Sequence, residues 1–233
     1  MKRVLLASTM AVAIASAATV IGLSAIAAPA PSITVSVPER ADNFQLTDQT
    51  RLSHELHYFK DAKAIVLMSQ INGSAASRAN AAQLEKLQTA YKANGVLFYM
   101  LNSKDSRDAA ATEAKAQGYD IPILLDELQL VGESLGVQKE GEIFVVDPKN
   151  GFKIAYHGPL AETGAALDAV VAGKPVANAR VEVKSGANIA FPARAKAAEF
   201  KNIKYSGEIT KILQDKCVTR HPHGGIPPSP PSR

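Results

Sequence analysis

Apolar and polar positions alternate along the chain in blocks that predict strands and helices in turn. Two continuous apolar runs, 64–68 and 96–101, are typical of strands buried on both faces of a sheet. Between them, apolar residues recur at helical spacing and predict a helix over 75–91. The other elements that the pattern predicts are a helix over 106–117, a strand over 121–125, a short helix over 128–135, paired strands over 142–146 and 152–156, and a helix over 161–172.

The order of these elements predicts one α/β domain over residues 38–175 with a mixed central sheet. Helices that alternate with buried strands imply parallel pairing, whereas the turn sequence DPKNG at 147–151 marks an antiparallel hairpin. The rest of the chain, 176–233, is predicted to be a linker with a short strand at 181–183, a short amphipathic helix over 208–216 and a tail. Five prolines among the last twelve residues exclude a helix or a central strand from that tail.

The first residues have the features of a secretory signal. Met1, Lys2 and Arg3 precede an apolar run to about residue 28, which alanine, serine and threonine dilute. We therefore expect a signal peptide over 1–28, an extended start over 29–37, and a location in the periplasm or outside the cell. Because the run is long enough to span a bilayer, an uncleaved anchor is the alternative, and it is the only expected link to a membrane.

Charge and cysteine content narrow the classes of partner and of chemistry. The formal charge of +4 falls to +2 without Lys2 and Arg3 (4 − 2), and no cluster of basic and aromatic residues occurs in the sequence. We therefore expect no nucleic-acid partner, and a protein partner would be another exported protein. The single cysteine excludes an internal disulfide, a Cys-x-x-Cys pair, a Cys-rich zinc site and an ordinary haem c site with two thioether bonds.

Four stretches resemble one known family in their order and spacing. They are NFQLTDQ at 43–49, NGSAASRAN at 72–80, LGV at 135–137 with FVVDP at 144–148, and YHGPL at 156–160. Together they resemble the redoxins, the peroxiredoxin-like AhpC/TSA branch of the thioredoxin fold, over residues 38–175. The resemblance implies a thioredoxin-like three-layer sandwich and the family activities of thiol-disulfide exchange or peroxide reduction.

The residues at the family's active-site positions differ from those that its chemistry requires. The resemblance places the family's two cysteines at Ser74 and Ser77 and its cis-proline at Gly141. A cysteine at a helix N-terminus is reactive because the helix dipole favours the thiolate, whereas a serine hydroxyl stays protonated without a neighbouring base. We expect Ser74 to cap the helix over 75–91 instead. The sequence therefore assigns no catalytic residue and predicts a redox-inactive domain that acts in binding or as a scaffold.

Two alternatives to an inactive domain stay open. The first is a thiol-dependent oxidoreductase or peroxidase of the redoxin family, in which Cys217 is the only available thiol. The second rests on a resemblance of residues 205–226 to the opening of cytochrome c-like modules, which makes the chain a fragment of a larger haem-containing electron-transfer protein. Cys217 and His221 there stand in a haem motif whose second cysteine is replaced by Arg220. The module stops early, as expected of a truncated or frameshifted sequence.

The same tail offers two ligand sets, although we expect no cofactor. Cys217 and His221 would hold a haem c through one thioether bond. Cys217, His221 and His223 would hold copper or zinc, for which thiolate and imidazole are suitable ligands.

Two further groups of polar residues lie outside these motifs. His54 and His57 are three positions apart and are predicted to face the solvent. Asp120, Asp126 and Glu127 bracket the third predicted strand, either as solvated loop residues or at the active-site end of the sheet.

Overall fold

Seven strands form one mixed sheet in the computed structural model, which describes residues 36–199 and 203–218. The strands are β1 (Gln45–Asp48), β2 (Ser53–Glu55), β3 (Ala64–Ser69), β4 (Val96–Asn102), β5 (Ile123–Leu125), β6 (Glu142–Asp147) and β7 (Lys153–Pro159). Their order across the sheet is β2-β1-β5-β4-β3-β6-β7. Strands β3, β4 and β5 pair in parallel, whereas β1 is antiparallel to β2 and β5, and β6 is antiparallel to β3 and β7.

Helices connect the parallel strands and cover the sheet. They are α1 (Ala75–Tyr91), α2 (Arg107–Gln117), α3 (Leu130–Leu135), α4 (Thr163–Val171), α5 (Pro192–Glu199) and α6 (Thr210–Leu213). Helical turns over Tyr205–Ile209 and Gln214–Val218 flank α6, and we call the whole helical segment 205–218 the tail helix. Among the described helices, none is both long and apolar enough to cross a bilayer.

The sheet separates two apolar clusters. Because successive side chains of a strand point to opposite faces, Ala64, Val66 and Met68 of β3 belong to one cluster, and Ile65 and Leu67 belong to the other. The first cluster contains buried side chains of α1, α2 and α4, and the second contains buried side chains of α3. This is the predicted three-layer α/β sandwich with a mixed central sheet.

Several predicted helix boundaries are confirmed by their local signals. Helix α1 has the predicted bounds, and the Ser74 hydroxyl accepts a hydrogen bond from the Ser77 N–H at 3.3 Å, as an N-cap does. Gly118 ends α2 with a positive φ of 68°, a conformation that glycine adopts without strain. Ser106 precedes α2 with an extended backbone, but its side chain makes no capping hydrogen bond.

The predicted strand at 181–183 is wrong. The only pairing there is a single parallel bridge between Arg180 and His157. Val183 is buried, and the Lys139 ammonium donates to the Val183 carbonyl at 3.2 Å. The alternating apolar residues thus serve burial against the domain and do not extend the sheet.

Residues 183–191, which we call the covering segment, are packed onto the domain. Ile189 and Phe191 are buried in the second apolar cluster, so the packed structure continues past residue 175. The predicted signal peptide, and His221, His223 and the proline-rich tail, lie outside the described residues.

Candidate functional site

The predicted active-site turn lies where β3 ends and α1 begins. Ser69 is the last residue of β3, and Ser74 caps α1. The loop 138–141 precedes β6 and lies against this turn, because the Gly141 N–H donates to the Ser69 carbonyl at 2.8 Å. The Ser69 hydroxyl also donates to the Lys139 carbonyl at 2.6 Å. The turn and the loop therefore form one site at the C-terminal end of β3.

Ser77, where the resemblance places the family's second cysteine, both donates and accepts a hydrogen bond through its hydroxyl. Its buried hydroxyl donates to Oε2 of Glu140 at 2.7 Å and accepts from the Ile71 N–H at 3.0 Å. The structure thus brings Ser74 and Ser77 together at the helix N-terminus, as predicted, and adds a carboxylate that the sequence did not reveal.

Glu140 is the ionisable residue that sequence reasoning missed. It is 4% exposed, and its Oε1 accepts from the Ala187 N–H at 2.9 Å. Burial raises the pKa of Glu140, but hydrogen bonds from Ser74, Ala187 and Ser77 and the charge of Lys104 lower it more, so the pKa lies below its ordinary value. The only sequence signal was a glutamate directly before the position where the family has its proline.

This carboxylate is bonded to the first turn of α1 through Ser77. The N-terminal end of a helix favours a negative charge, and in a redoxin that charge is the thiolate. Here the Glu140 carboxylate accepts a hydrogen bond from the Ser77 hydroxyl. A carboxylate with a lowered pKa is a weak general base at neutral pH, so Glu140 is poorly suited to activate the Ser77 hydroxyl.

Gly141 has a conformation that a proline cannot adopt. Its φ is +80°, whereas the proline ring holds φ near −65°, and its N–H is hydrogen-bonded. No cis peptide bond occurs in the described part of the chain. A Cβ at Gly141 would lie 2.6 Å from Nδ2 of Asn80. The loop is therefore shaped around glycine and not around a missing proline.

The covering segment pairs with the backbone of the same loop. The Glu140 N–H donates to the Ala187 carbonyl at 2.9 Å, and the Ile189 N–H donates to the Gln138 carbonyl at 2.8 Å. Lys139 and Asn188 form the antiparallel bridge between these two hydrogen bonds. The extended backbone edge of the loop is therefore occupied by the chain itself.

The two histidines differ in their surroundings, and the prediction that both face the solvent is wrong for His54. This residue is buried in β2, and its Nε2 lies 2.9 Å from Oδ2 of Asp48. The pairing of β2 with β1 turns His54 inward, where its ring packs edge-on against Tyr99 at 5.1 Å. His57 is exposed and stacks on Phe152 with ring centroids 4.1 Å apart.

Asp126 has a structural role at the start of α3. Its buried carboxylate accepts from the N–H groups of Val131 and Gly132 and from the Ser103 hydroxyl. It therefore satisfies backbone donors of the helix that would otherwise be unpaired. Solvation as a loop residue does not describe Asp126, whereas Glu127 next to it is exposed.

The ligand sets predicted in the tail lie mostly beyond the described residues. Cys217 is in the last turn of the tail helix, Gln214–Val218, but His221 and His223 are outside the described ranges. Within those ranges, no group of three or more His, Cys, Asp and Glu residues is arranged to hold a metal ion. Haem or metal binding by these three residues therefore stays an untested alternative to the expectation of no cofactor.

Solved structures share this architecture. A hypothetical protein from Sinorhizobium meliloti 1021 is 26% identical and aligns over 67% of this chain and 95% of its own, with a TM-score of 0.59. An uncharacterized conserved protein from Geobacillus kaustophilus is 24% identical over 68% and 93% of the two chains, with a TM-score of 0.57. The peroxidoxin BcpB from Mycobacterium tuberculosis is 19% identical over 59% and 96%, with a TM-score of 0.51. No curated protein matches the chain.

The family assignment follows from the sequence and the fold together. Residues 37–156, just over half of the chain, match the AhpC/TSA family. The match begins before β1, includes the turn with Ser74 and Ser77, and ends in β7. The chain therefore belongs to the AhpC/TSA family and has its thioredoxin-like fold.

Proposed function

We propose that this chain is an exported, redox-inactive member of the AhpC/TSA family that works in binding or as a scaffold. The observation that carries the proposal is the hydrogen bond of 2.7 Å between the Ser77 hydroxyl and the Glu140 carboxylate. Thiol chemistry needs a thiolate at this helix N-terminus, whereas the chain has two serine hydroxyls there, and that of Ser77 is bonded to a carboxylate. Export is supported by the basic start and the apolar run of residues 1–28.

The covering segment supports the same proposal. Its residues 187–189 pair with the loop 138–140, so that a substrate in extended conformation would have to displace them. Ile189 and Phe191 anchor the segment in the apolar core, and burial of side chains of this size is worth about 1.5–3 kcal/mol each. A redoxin that keeps this edge covered is suited to present other surfaces to a partner.

Two assays with the purified chain test the proposal. Reduction of insulin disulfides by dithiothreitol and consumption of hydrogen peroxide with a thiol reductant should both proceed at the uncatalysed rate. A redoxin with an intact cysteine pair serves as the positive control. Turnover above background would contradict the inactive assignment.

The second candidate is a thiol-dependent oxidoreductase or peroxidase that uses Cys217. It is favoured by membership of a family that contains peroxidases and by the presence of one thiol on the tail helix. The Cys217→Ser variant separates the two candidates, because turnover that this change abolishes would assign the activity to Cys217. Turnover that survives the change would exclude it.

The haem-binding fragment is the third candidate, supported by the similarity of residues 205–226 to a cytochrome c opening. Expression in the periplasm together with the haem-attachment machinery tests it. A Soret band that persists after denaturation and is lost in Cys217→Ser would establish covalent haem, and no Soret band would exclude it.

A further inference from the structure

Two leucines beside the start of α3 are held out into the solvent. Leu128 is 80% exposed and Leu130 is 63% exposed, although both are large apolar side chains. They border a cleft of about 500 Å³ whose floor includes Phe44, Leu46 and Val131. We call this surface, defined by these five residues, the leucine cleft. Contiguous apolar surface of this kind is typical of interaction sites.

The residue between the two leucines keeps them in place. Gln129 has a positive φ of 61°, which is unfavourable for a residue other than glycine. Its side-chain amide donates to the carbonyls of Ser103 at 2.7 Å and Ala190 at 2.8 Å. The chain therefore fixes Gln129 toward the domain and presents its two neighbours outward in a preformed arrangement, which lowers the entropic cost of binding a partner there.

The tail helix has the complementary surface. Tyr205–Ile209 is a π-helical turn and Thr210–Leu213 an α-helical one, so that Tyr205, Ile209 and Leu213 follow one another at about one turn each. They therefore share one face of the helix, with Ile212 beside Leu213. Three of these four residues are exposed, and Ile209 is partly exposed. An amphipathic helix with an exposed apolar face is the usual ligand of a hydrophobic groove.

The charges of the two surfaces also match. The exposed carboxylates of Asp42 and Glu127 line the leucine cleft, and its lining includes no lysine or arginine. The tail helix and its flank carry three lysines, Lys204, Lys211 and Lys216, against the two carboxylates of Glu208 and Asp215. Opposite charges around an apolar contact favour the correct partner and speed the encounter.

We propose that the tail helix of one copy docks by its apolar face into the leucine cleft of a second copy. In a single copy both surfaces are exposed, and a second copy supplies the partner of each. Because the exchange is reciprocal, the twofold dimer contains this contact twice. A specific interface buries roughly 1,200–2,000 Å² in total, and the twofold arrangement doubles the area that one helix buries in one cleft.

Light scattering and sedimentation of the full purified chain over a range of concentrations test the dimer. The wild-type chain should change from monomer to dimer as its concentration rises. Leu130→Asp in the cleft and Ile212→Asp in the helix should each raise the dissociation constant at least about tenfold, because each places a charge in an apolar contact. Leu52→Asp is the matched control, since Leu52 is 62% exposed and does not line the cleft.

A mixture of the two variants distinguishes reciprocal exchange from other contacts. A heterodimer of Leu130→Asp with Ile212→Asp contains one intact helix opposite one intact cleft, whereas each homodimer contains none. The mixture should therefore dimerise more tightly than either variant alone. Circular dichroism of each variant checks that the domain is folded.

Other results would overturn the proposal. These are a chain that stays monomeric at all concentrations, a dimer that Leu52→Asp weakens as much as Leu130→Asp, and a mixture no tighter than its components. A last experiment places a photo-reactive residue at position 128 and cross-links a mixture of ¹⁴N and ¹⁵N chains. The isotopes show whether a cross-link joins two different chains or two parts of the same chain. Cross-links to the tail helix within one isotope only would show docking in the same chain and reject the dimer.

Discussion

Glu140 is the residue on which the local structure of the site depends. It combines a hydrogen bond from Ser77, a hydrogen bond from the Ala187 N–H and a position at the positive end of α1. A buried carboxylate is stable only when such partners satisfy it, because an unpaired charge is costly to remove from water. Here the partners come from two separate parts of the chain, α1 and the covering segment.

Replacement of this charge should weaken the protein in a pH-dependent way. Since hydrogen bonds to a charged group contribute about 1.5–3 kcal/mol, Glu140→Gln should lower the free energy of unfolding by about that amount at neutral pH. The folded-state pKa of Glu140 lies below the ordinary 4.5, so its contribution is present above about pH 4.5 and is lost as the pH falls through the folded pKa. Urea unfolding of the wild type and of Glu140→Gln across pH 3–7 measures the difference in their free energies of unfolding.

The difference between the wild type and Glu140→Gln should therefore shrink toward acid pH. Glu182→Gln, at an exposed position, is the control and should change stability little at any pH. A difference that stayed constant from neutral to acid pH would contradict the role of the ionised carboxylate.

Substitution of Gly141 tests how closely the loop packs against Asn80. Gly141→Ala should cost about 1–2 kcal/mol for its positive φ, and more because its Cβ must displace the Asn80 amide. Gly118→Ala is the matched control, because Gly118 also has a positive φ but a Cβ there meets no atom within 4 Å. Thermal or urea unfolding should show a lower free energy of unfolding for Gly141→Ala than for Gly118→Ala. When Asn80→Ala is combined with Gly141→Ala, the difference between the two glycine substitutions should disappear. Equal costs for the two single variants would refute the steric contribution.

At the scale of elements, the covering segment is the feature that makes this site unlike an open groove. It contributes backbone pairing to the loop 138–140 and apolar side chains to the second core cluster. Two hydrogen bonds of Ala187 attach the segment to the site. The Ala187 N–H donates to the Glu140 carboxylate, and the Ala187 carbonyl accepts from the Glu140 N–H.

Ala187→Pro should loosen this segment without unfolding the sheet. Proline removes the N–H that donates to Glu140, so amide exchange of Ile189 and proteolysis within 183–191 should increase. Amide hydrogen exchange read by mass spectrometry is the measurement. Ala187→Gly keeps the N–H donor and should show a smaller increase, and equal protection in both variants would argue against the hydrogen bond as the anchor.

At the scale of the whole molecule, the fold is that of the family, but its site carries a different charge arrangement. Introducing the cysteine pair by Ser74→Cys and Ser77→Cys, in a Cys217→Ser background, tests whether the fold with two cysteines is sufficient for thiol chemistry. The neighbouring Glu140 carboxylate disfavours a second negative charge, so the introduced thiols should have a pKa above the ordinary value of about 8.5. Insulin reduction at neutral pH should stay near background.

The rate of alkylation by iodoacetamide against pH reports the pKa of the introduced thiols directly. Adding Glu140→Gln should lower this pKa, because the helix N-terminus then acts on the thiolate without the opposing carboxylate. An introduced thiol with a pKa well below 8.5 in the presence of Glu140 would show that the carboxylate does not control the site.

Local patterns determined the elements and the family. The continuous apolar run of β3, the helical spacing in α1 and the glycine after α2 act over a few residues, and they predicted elements that the structure confirms. Ser74 as the helix cap also follows from its position directly before α1. The motifs around these elements pointed to the AhpC/TSA family, which residues 37–156 match.

Only the tertiary structure decided what surrounds the two serines. Ser77 and Glu140 are 63 positions apart, and Ala187 is 47 positions beyond Glu140, so no local pattern links them. The inward orientation of His54 likewise depends on the pairing of β2 with β1. The sequence by itself determined that serines stand at positions 74 and 77, because residue identity needs no fold. The buried carboxylate beside Ser77 was decided by long-range packing, which brings charge and hydrogen-bond donors together across the chain.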